Sequence, residues 1–280
     1  MKIKFLGTAA AEGFPAVFCN CTCCNEARKL GGKNIRTRHQ TIINEDLLID
    51  LPADTYFHVL QHGLRLDKVK YLLVTHAHKD HFYPAELKNK VHFFAHNQQE
   101  EQLLAYGGEG AKNLFEKDTN PFLSERFKDV IIFNLVENFK PFPLGDDYII
   151  TALPARHDLN NDAKFYIIEK DGKRILYAHD TGIFYDEVYE YIKKNNLYFD
   201  FITLDCTNVT LEGSDEGTHM GFCQVTKVIK KLQEIKAIDQ NTIKYVNHFS
   251  HNGNALHSYV ESVASEYEIN VAFDGEEITL

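Results

Sequence analysis

The seven residues Thr75-His76-Ala77-His78-Lys79-Asp80-His81 follow directly on the apolar run Tyr71-Leu72-Leu73-Val74. Three histidines and an aspartate this close together cannot share one regular face, so the segment reads as a turn at the C-terminal end of a strand. Imidazole nitrogens and a carboxylate converging on such a turn suit divalent transition metals of the zinc or manganese sort. One turn cannot saturate two ions, and further donors stand at later strand ends. His157 follows Leu153-Pro154-Ala155, Asp180 follows Leu176-Tyr177-Ala178-His179, and His248 follows Lys244-Tyr245-Val246-Asn247.

A second cluster lies near the N-terminus. Phe18-Cys19-Asn20-Cys21-Thr22-Cys23-Cys24 is too crowded for a disulfide framework and reads as a metal site in a reducing compartment. Cys19, Cys21 and Cys24 form Cys-x-Cys-x-x-Cys, three thiolates suited to tetrahedral zinc with one ligand missing. His251, three residues beyond His248, can supply it and so staple the N-terminal loop to the last ligand loop. Spacing alone leaves the place of Cys23 open. Cys206 and Cys223, in apolar surroundings, read as small buried hydrophobes.

The elements that must position these residues follow from periodicity and turn signals. Strand-like stretches include Lys2–Gly7, Gln40–Ile43, Leu47–Asp50, Val69–Thr75, Val91–Ala95, Val130–Val136 and Tyr148–Ala155. Asp171-Gly172 joins Lys164–Glu169 and Arg174–Ala178 as a hairpin, and Phe199–Asp205, Lys244–Asn247 and Asn270–Phe273 complete the set. Helical patterns cover Asp54–Gln61, Pro84–Asn89, Asn97–Tyr106, Phe184–Asn195, Phe222–Ile235 and Ala255–Tyr267. Two β-rich halves with strand–helix alternation imply a pair of packed sheets flanked by helices. One domain over 1–280 is expected, with a helical insertion or lid around 97–126.

The chain carries 30 Lys+Arg against 40 Asp+Glu, a formal charge of −10. That balance argues against an extended nucleic-acid face, which needs a cationic surplus. It leaves room for a small anionic substrate, because bound cations invert the local field. No apolar run approaches a membrane span, and Lys2-Ile3-Lys4-Phe5 alternates as an edge strand does, so a cytoplasmic protein is expected. Arg36 and Arg38 read as a solvated basic loop. His39, His58, His62, His92, His96 and His257 stand outside the metal pattern. His179 reads equally as support for Asp180 or as a surface-facing strand end.

On these motifs the chain resembles the metallo-β-lactamase superfamily along essentially its whole length. The resemblance implies an α/β fold, an αββα sandwich of two mixed sheets with the site at one edge. It implies a dinuclear centre with His76, His78 and His157 on one metal, Asp80, His81 and His248 on the other, and Asp180 bridging both. Gly7-Thr8, Gly13-x-Pro15, the cysteine motif and His248-x-x-His251 are similar to the PhnP-like branch of cyclic phosphodiesterases, close to the ribonuclease Z enzymes. That branch implies one structural zinc beside a pair of manganese, zinc or iron ions.

The chemistry so implied is hydrolysis of a small or cyclic phosphodiester by a hydroxide held between the two metals, with Asp80 and Asp180 in the centre. His219, in Gly217-Thr218-His219-Met220-Gly221, is the candidate proton donor to the leaving group. Asp205 can orient it or can simply cap a strand-end turn. Two alternatives are a carboxylic-bond hydrolase of a lactone or thioester, and a PqqB-like metal-binding protein without hydrolysis. The partner expected is a small-molecule substrate, with no membrane, and a homodimer as the commonest soluble assembly.

Overall fold

The computed structural model describes residues 1–280 apart from 92, 101, 120–128, 147, 159 and 160. The described strands form two seven-stranded sheets. The first runs in the order β14 (Glu277–Thr279), β1 (Lys2–Gly7), β2 (Gln40–Ile43), β3 (Leu47–Ile49), β4 (Tyr71–Leu73), β5 (Leu103–Gly107) and β6 (Ile131–Leu135). The second runs β13 (Asn270–Val271), β12 (Ile243–Asn247), β11 (Phe201–Asp205), β10 (Lys173–Ala178), β9 (Lys164–Lys170), β8 (Tyr148–Pro154) and β7 (Phe142–Leu144). Helices α1 (Thr22–Leu30), α2 (Thr55–His62), α3 (Glu109–Thr119), α4 (Asp186–Lys194), α5 (Phe222–Glu234) and α6 (His257–Ala264) lie outside.

The layers follow from where apolar side chains are buried. Between the sheets, alternate residues of facing strands, including Ile3, Phe5, Leu73, Ile150, Ile168, Ile175 and Phe201, make one core. The rings of Phe5, Phe201 and Tyr245 pack there at 5.4–6.5 Å between centroids, each buried ring contributing on the order of 2 kcal/mol. A second core lies outside the second sheet, where α5 buries Phe222, Val225, Val228 and Leu232 at helical spacing. A third lies outside the first sheet. The αββα sandwich is thus the observed fold.

Each half begins antiparallel and becomes parallel. Strands β3 to β6 run parallel, as do β10 to β13. In-register pairs such as Ile49 with Leu73 and Asp205 with Asn247 bring successive strand ends to one edge. Parallel strands leave their carboxyl ends as a crevice for side chains from the following turns.

Several expectations need correction. Cys223, read as a buried hydrophobe, is exposed, whereas Cys206 is buried. Asn97–Tyr106, expected as a helix, instead ends in strand β5 (Leu103–Gly107), hydrogen-bonded between β4 and β6. Pairing on both sides and alternating burial override helix propensity there. Of the segment 97–126, residues 101 and 120–126 lie outside the described residues, and α3 accounts for its helical part. The stretch expected as a strand at Val91–Ala95 instead continues a 3-10 turn from Pro84–Lys90 in turn conformation, with residue 92 outside the described residues. Arg36 is only 2% exposed rather than solvated. Its guanidinium donates to Thr8 Oγ1 at 2.8 Å and to the Ala272 carbonyl at 2.6 Å, and lies over the Phe249 ring.

Candidate metal centre

The His-rich turn hangs from the end of β4. The Thr75 backbone N–H and hydroxyl donate to Asp50 Oδ1 at 2.8 and 2.9 Å, and Asp50 Oδ2 lies 2.7 Å from His81 Nδ1. Asp50 follows β3 directly, so the parallel β3–β4 pair sets its carboxylate beside the turn. The N–H groups of His81 and Phe82 both donate to the His78 carbonyl, at 3.0 and 2.7 Å, closing the loop tightly. His76 and His81 are buried, whereas His78 is 46% exposed. Asp50 was not among the residues singled out from sequence; an acidic residue closing a strand beside a His-rich turn is the only signal that could have found it.

From the second sheet, His157 follows β8, Asp180 follows β10 and His248 follows β12. The structure brings these together with His76, His78, Asp80 and His81. Oδ2 of Asp180 lies 3.3 Å from His76 Nε2, 2.7 Å from His81 Nε2 and 3.8 Å from His157 Nε2. His78 Nδ1 is 3.1 Å from His157 Nε2, and His81 Nε2 is 3.2 Å from His248 Nε2 and 3.4 Å from Asp80 Oδ2. Two imidazoles on a tetrahedral ion with bonds of about 2.0–2.1 Å stand roughly 3.3 Å apart, the spacing seen here. The donors therefore form two groups, His76/His78/His157 and Asp80/His81/Asp180/His248, each able to hold a cation.

The polar accounting agrees. His76 Nε2 and Asp180 Oδ1 are buried without a hydrogen-bond partner, which is costly unless a cation is accommodated. Burial, together with the charge of His81, holds His76 well below the usual imidazole range, leaving a free lone pair. Burial likewise lowers His157. Asp180 is held well below the carboxylate range: burial opposes this, but His248 and His81 overcome it. His81 is raised well above its usual range against its own burial by Asp180 and Asp50. Its proton occupies the electrostatic role a cation takes over on binding, with release of that proton.

His219 stands over this centre. Its Nδ1 lies 3.2 Å from both Asp205 Oδ2 and Asp180 Oδ1. Burial lowers its pKa, yet Asp205 by charge and hydrogen bond, and Asp180 by charge, raise it to about 9. Asp205 performs both roles left open by the sequence. It also accepts the N–H groups of Thr207 and Met220 at 3.1 and 2.8 Å, capping the turn that carries His219. Asp180, Asp205, His219 and His248 also offer donor atoms within 4.8 Å of one another, but these backbone bonds commit Asp205 to the turn. Thr207 Oγ1 is 2.8 Å from His248 Nδ1 and orients that ring. Gly182 lets the turn after Asp180 approach the His219 loop, since a Cβ there would sit 1.9 Å from the Gly217 carbonyl oxygen.

The cysteine motif is likewise brought together. Cys19, Cys21, Cys24 and His251 offer ligand atoms within 4.8 Å of one another. His251 Nδ1 is 3.5 Å from Cys19 Sγ and 3.7 Å from Cys21 Sγ, close to the roughly 3.6 Å between sulfur and nitrogen on one zinc. Cys21 caps α1 and accepts from the Cys24 N–H; this bond and His251 lower its pKa to about 6. Burial, followed by its thiol neighbours, pushes Cys24 up to about 12. Three thiolates cannot coexist there without a cation. Cys23 turns away to Asn254 Oδ1 and is outside the group.

Beneath the centre, His179 is buried rather than surface-facing, with His39 Nε2 at 2.8 Å and Thr203 Oγ1 at 2.7 Å. His58 and His257 are buried too, in separate hydrogen-bond networks.

Against known proteins, a family model described as a beta-lactamase superfamily domain matches residues 48–248. Over 115 residues the chain is 29% identical to ribonuclease Z of Streptococcus pneumoniae, covering 40% of this chain and 32% of that protein. The match thus spans about a third of that curated relative. In fold, the structure is similar to Zn(2+)-bound PqqB from Methylobacterium extorquens, with TM-score 0.76, 17% identity and 100% of both chains covered. It is also similar to a diphosphatase from the PhnP family, with TM-score 0.73 and 17% identity over 99% of this chain and 96% of that one. Among the described residues no helix is long and apolar enough to cross a membrane.

Proposed function

The chain belongs to the beta-lactamase superfamily of metal-dependent hydrolases, and we propose from that premise that it is a dinuclear phosphodiesterase acting on a small or cyclic phosphodiester. The observation that carries the reading is Asp180, whose Oδ2 stands within 3.3 Å of a donor in each of the two groups. His76 Nε2, His78 Nδ1 and His157 Nε2 would hold one cation, and Asp80, His81 and His248 the other, with Asp180 shared. Two divalent cations there, manganese or zinc, would neutralise phosphoryl oxygens and lower the pKa of water from 15.7 toward about 7, supplying a nucleophile.

The protein's own groups supply the remainder. Asp50 and Thr207 hold the outer nitrogens of His81 and His248, leaving each Nε2 facing inward. Asp205 accepts the Nδ1–H of His219 and favours its imidazolium, whose Nε2–H would be the proton available to a departing alkoxide. Cys19, Cys21, Cys24 and His251 would hold a structural zinc that ties the start of the chain to the His248 loop. This cysteine arrangement, beside a centre of this composition, favours the PhnP-like branch.

The test is hydrolysis of bis(p-nitrophenyl) phosphate by metal-stripped protein reloaded with Mn²⁺ or Zn²⁺, with Asp180→Asn as control. Metal-dependent turnover lost in the control is expected, and a cyclic-nucleotide panel then narrows the substrate. No turnover at confirmed metal occupancy would refute the phosphodiesterase reading and leave carboxylic-bond hydrolysis or a non-hydrolytic, metal-binding role.

A further inference from the structure

In the centre, three imidazoles have the nitrogen that faces away from the cluster within reach of a fixed oxygen: His81 at Asp50, His248 at Thr207, and His76 Nδ1 at Thr75 Oγ1, 3.0 Å away. His78 sits on the exposed side of the turn, where packing does little to fix its ring. Its Nδ1 faces His157 Nε2, and its Nε2 lies 3.1 Å from Asp158 Oδ2. We propose that Asp158 is a positioning residue of the metal centre, accepting the Nε2–H of His78 and so presenting the Nδ1 lone pair inward. The inference rests on the reading of His78 as a metal ligand.

Asp158 is suited to that role because it is itself held. Its side chain is 14% exposed, its carbonyl accepts the Asn161 N–H at 3.2 Å, and the Asn161 amide donates to the same Oδ2. Asn161 and Asp162 in turn press on the start of α3. A Cβ on Gly110 would stand 2.7 Å from the Asn161 carbonyl oxygen, and one on Gly108 would stand 2.5 Å from that of Asp162. Only glycine lets these backbones meet so closely. The β5–α3 turn, in a stretch whose role the sequence leaves open, thereby buttresses the carboxylate that aims His78. A carboxylate on the outer nitrogen of a ligating histidine fixes the tautomer and ring orientation and raises ligand basicity.

The experiment is a competitive Zn²⁺ titration of the metal-free protein against a chromophoric chelator, for the wild type, Asp158→Ala, Asp158→Asn and Gly110→Ala. Asp158→Ala should weaken one of the two centre sites by about 10- to 100-fold with the thermal midpoint of the metal-free protein unmoved. Asp158→Asn, which keeps an acceptor oxygen, should recover part of that loss, and Gly110→Ala should shift the same site in the same direction. Long-range ¹H–¹⁵N spectra of metal-free wild type need no variant and should show His78 protonated at Nε2. Wild-type affinity at both sites in Asp158→Ala, or an Nδ1–H tautomer, overturns the role of Asp158. A wild type that takes up no metal pair overturns the reading of the centre itself.

Discussion

His219→Ala separates proton delivery from metal binding, because the two make different demands on the leaving group. In the metal-free protein the His219 pKa of about 9 lies roughly 2.5 above the ordinary value of 6.5, a preference for the imidazolium of about 3 kcal/mol. The side chain is 27% exposed, so screening removes little of this. Cations bound at Asp180 would cancel its share and lower the value from there, with the charge and hydrogen bond of Asp205 still favouring the imidazolium. A proton held there is available at neutral pH to a departing alkoxide, and such a donor contributes roughly 10²- to 10⁴-fold. The p-nitrophenolate ion departs without one. His219→Ala should therefore lower kcat/KM on a cyclic nucleotide by roughly 10²- to 10⁴-fold and on bis(p-nitrophenyl) phosphate by less than about tenfold. The wild-type rate on the cyclic substrate should fall on the alkaline side, a limb missing with the activated diester, and Asp205→Asn should move that limb to lower pH. Equal losses on both substrates would refute proton donation and make His219 a ligand or substrate anchor.

Two further outcomes follow from residues away from the reacting groups. His251→Ala should remove one zinc per chain while sparing the dinuclear pair, and should lower the thermal midpoint by about 5–10 °C, the shift for roughly 3 kcal/mol in a chain of this size. Unchanged zinc content and midpoint would dismiss the structural site. His58 is buried, donates from Nδ1 to Gln40 Oε1 and meets Thr37 Oγ1, and burial, with help from His62, pushes its pKa to about 3. Its unfolded value is near 6.5, so its stabilising share is complete above that pH and is lost as pH falls toward 3, to a total of roughly 5 kcal/mol. The stability difference between wild type and His58→Gln, measured by urea unfolding, should narrow steadily across that window; a pH-independent difference would show that His58 does not stay neutral in the fold. Asp274, raised to about 6 by burial, acts in the opposite direction between 3.8 and 6, which is why the difference between proteins is read rather than the wild-type curve.

How much of this was legible in the sequence depends on how far each signal stands above the ordinary uses of its residue type. His76, His78, Asp80 and His81 are dense in ligand atoms and close one strand, and His157, Asp180 and His248 repeat that placement, so their meeting at one edge followed from topology. The cysteines and His251 were legible for the same reason. Asp50, Asp158 and Thr207 were not, because a lone acid or hydroxyl after a strand is usually a turn cap. Their partners lie far along the chain, as in His81 with Asp50 and His78 with Asp158. The misreading of Leu103–Gly107 has the same origin: local propensity is a weak prior, and the pairing that overrides it comes from β4 and β6.

The backbone adds what side-chain patterns cannot carry. Asp50, Asp180 and His248 each stand within two residues of a strand end, and each has positive φ, at 64°, 50° and 65°. None is glycine, and for such residues this conformation costs on the order of 1 kcal/mol. The cost recurs at a carboxylate holding His81, at the carboxylate between the two donor groups, and at an imidazole of the second group. A left-handed residue turns the chain sharply where the strand ends, and so aims the side chain across the crevice instead of along the strand. Donor atoms from turns in both sheets can then converge to 2.7–3.3 Å. Relaxing any one of these turns to an extended conformation would gain local stability and lose that convergence. The strain is offset by what the convergent donors bind, so metal removal should leave these three turns as the least protected backbone at the edge in hydrogen exchange.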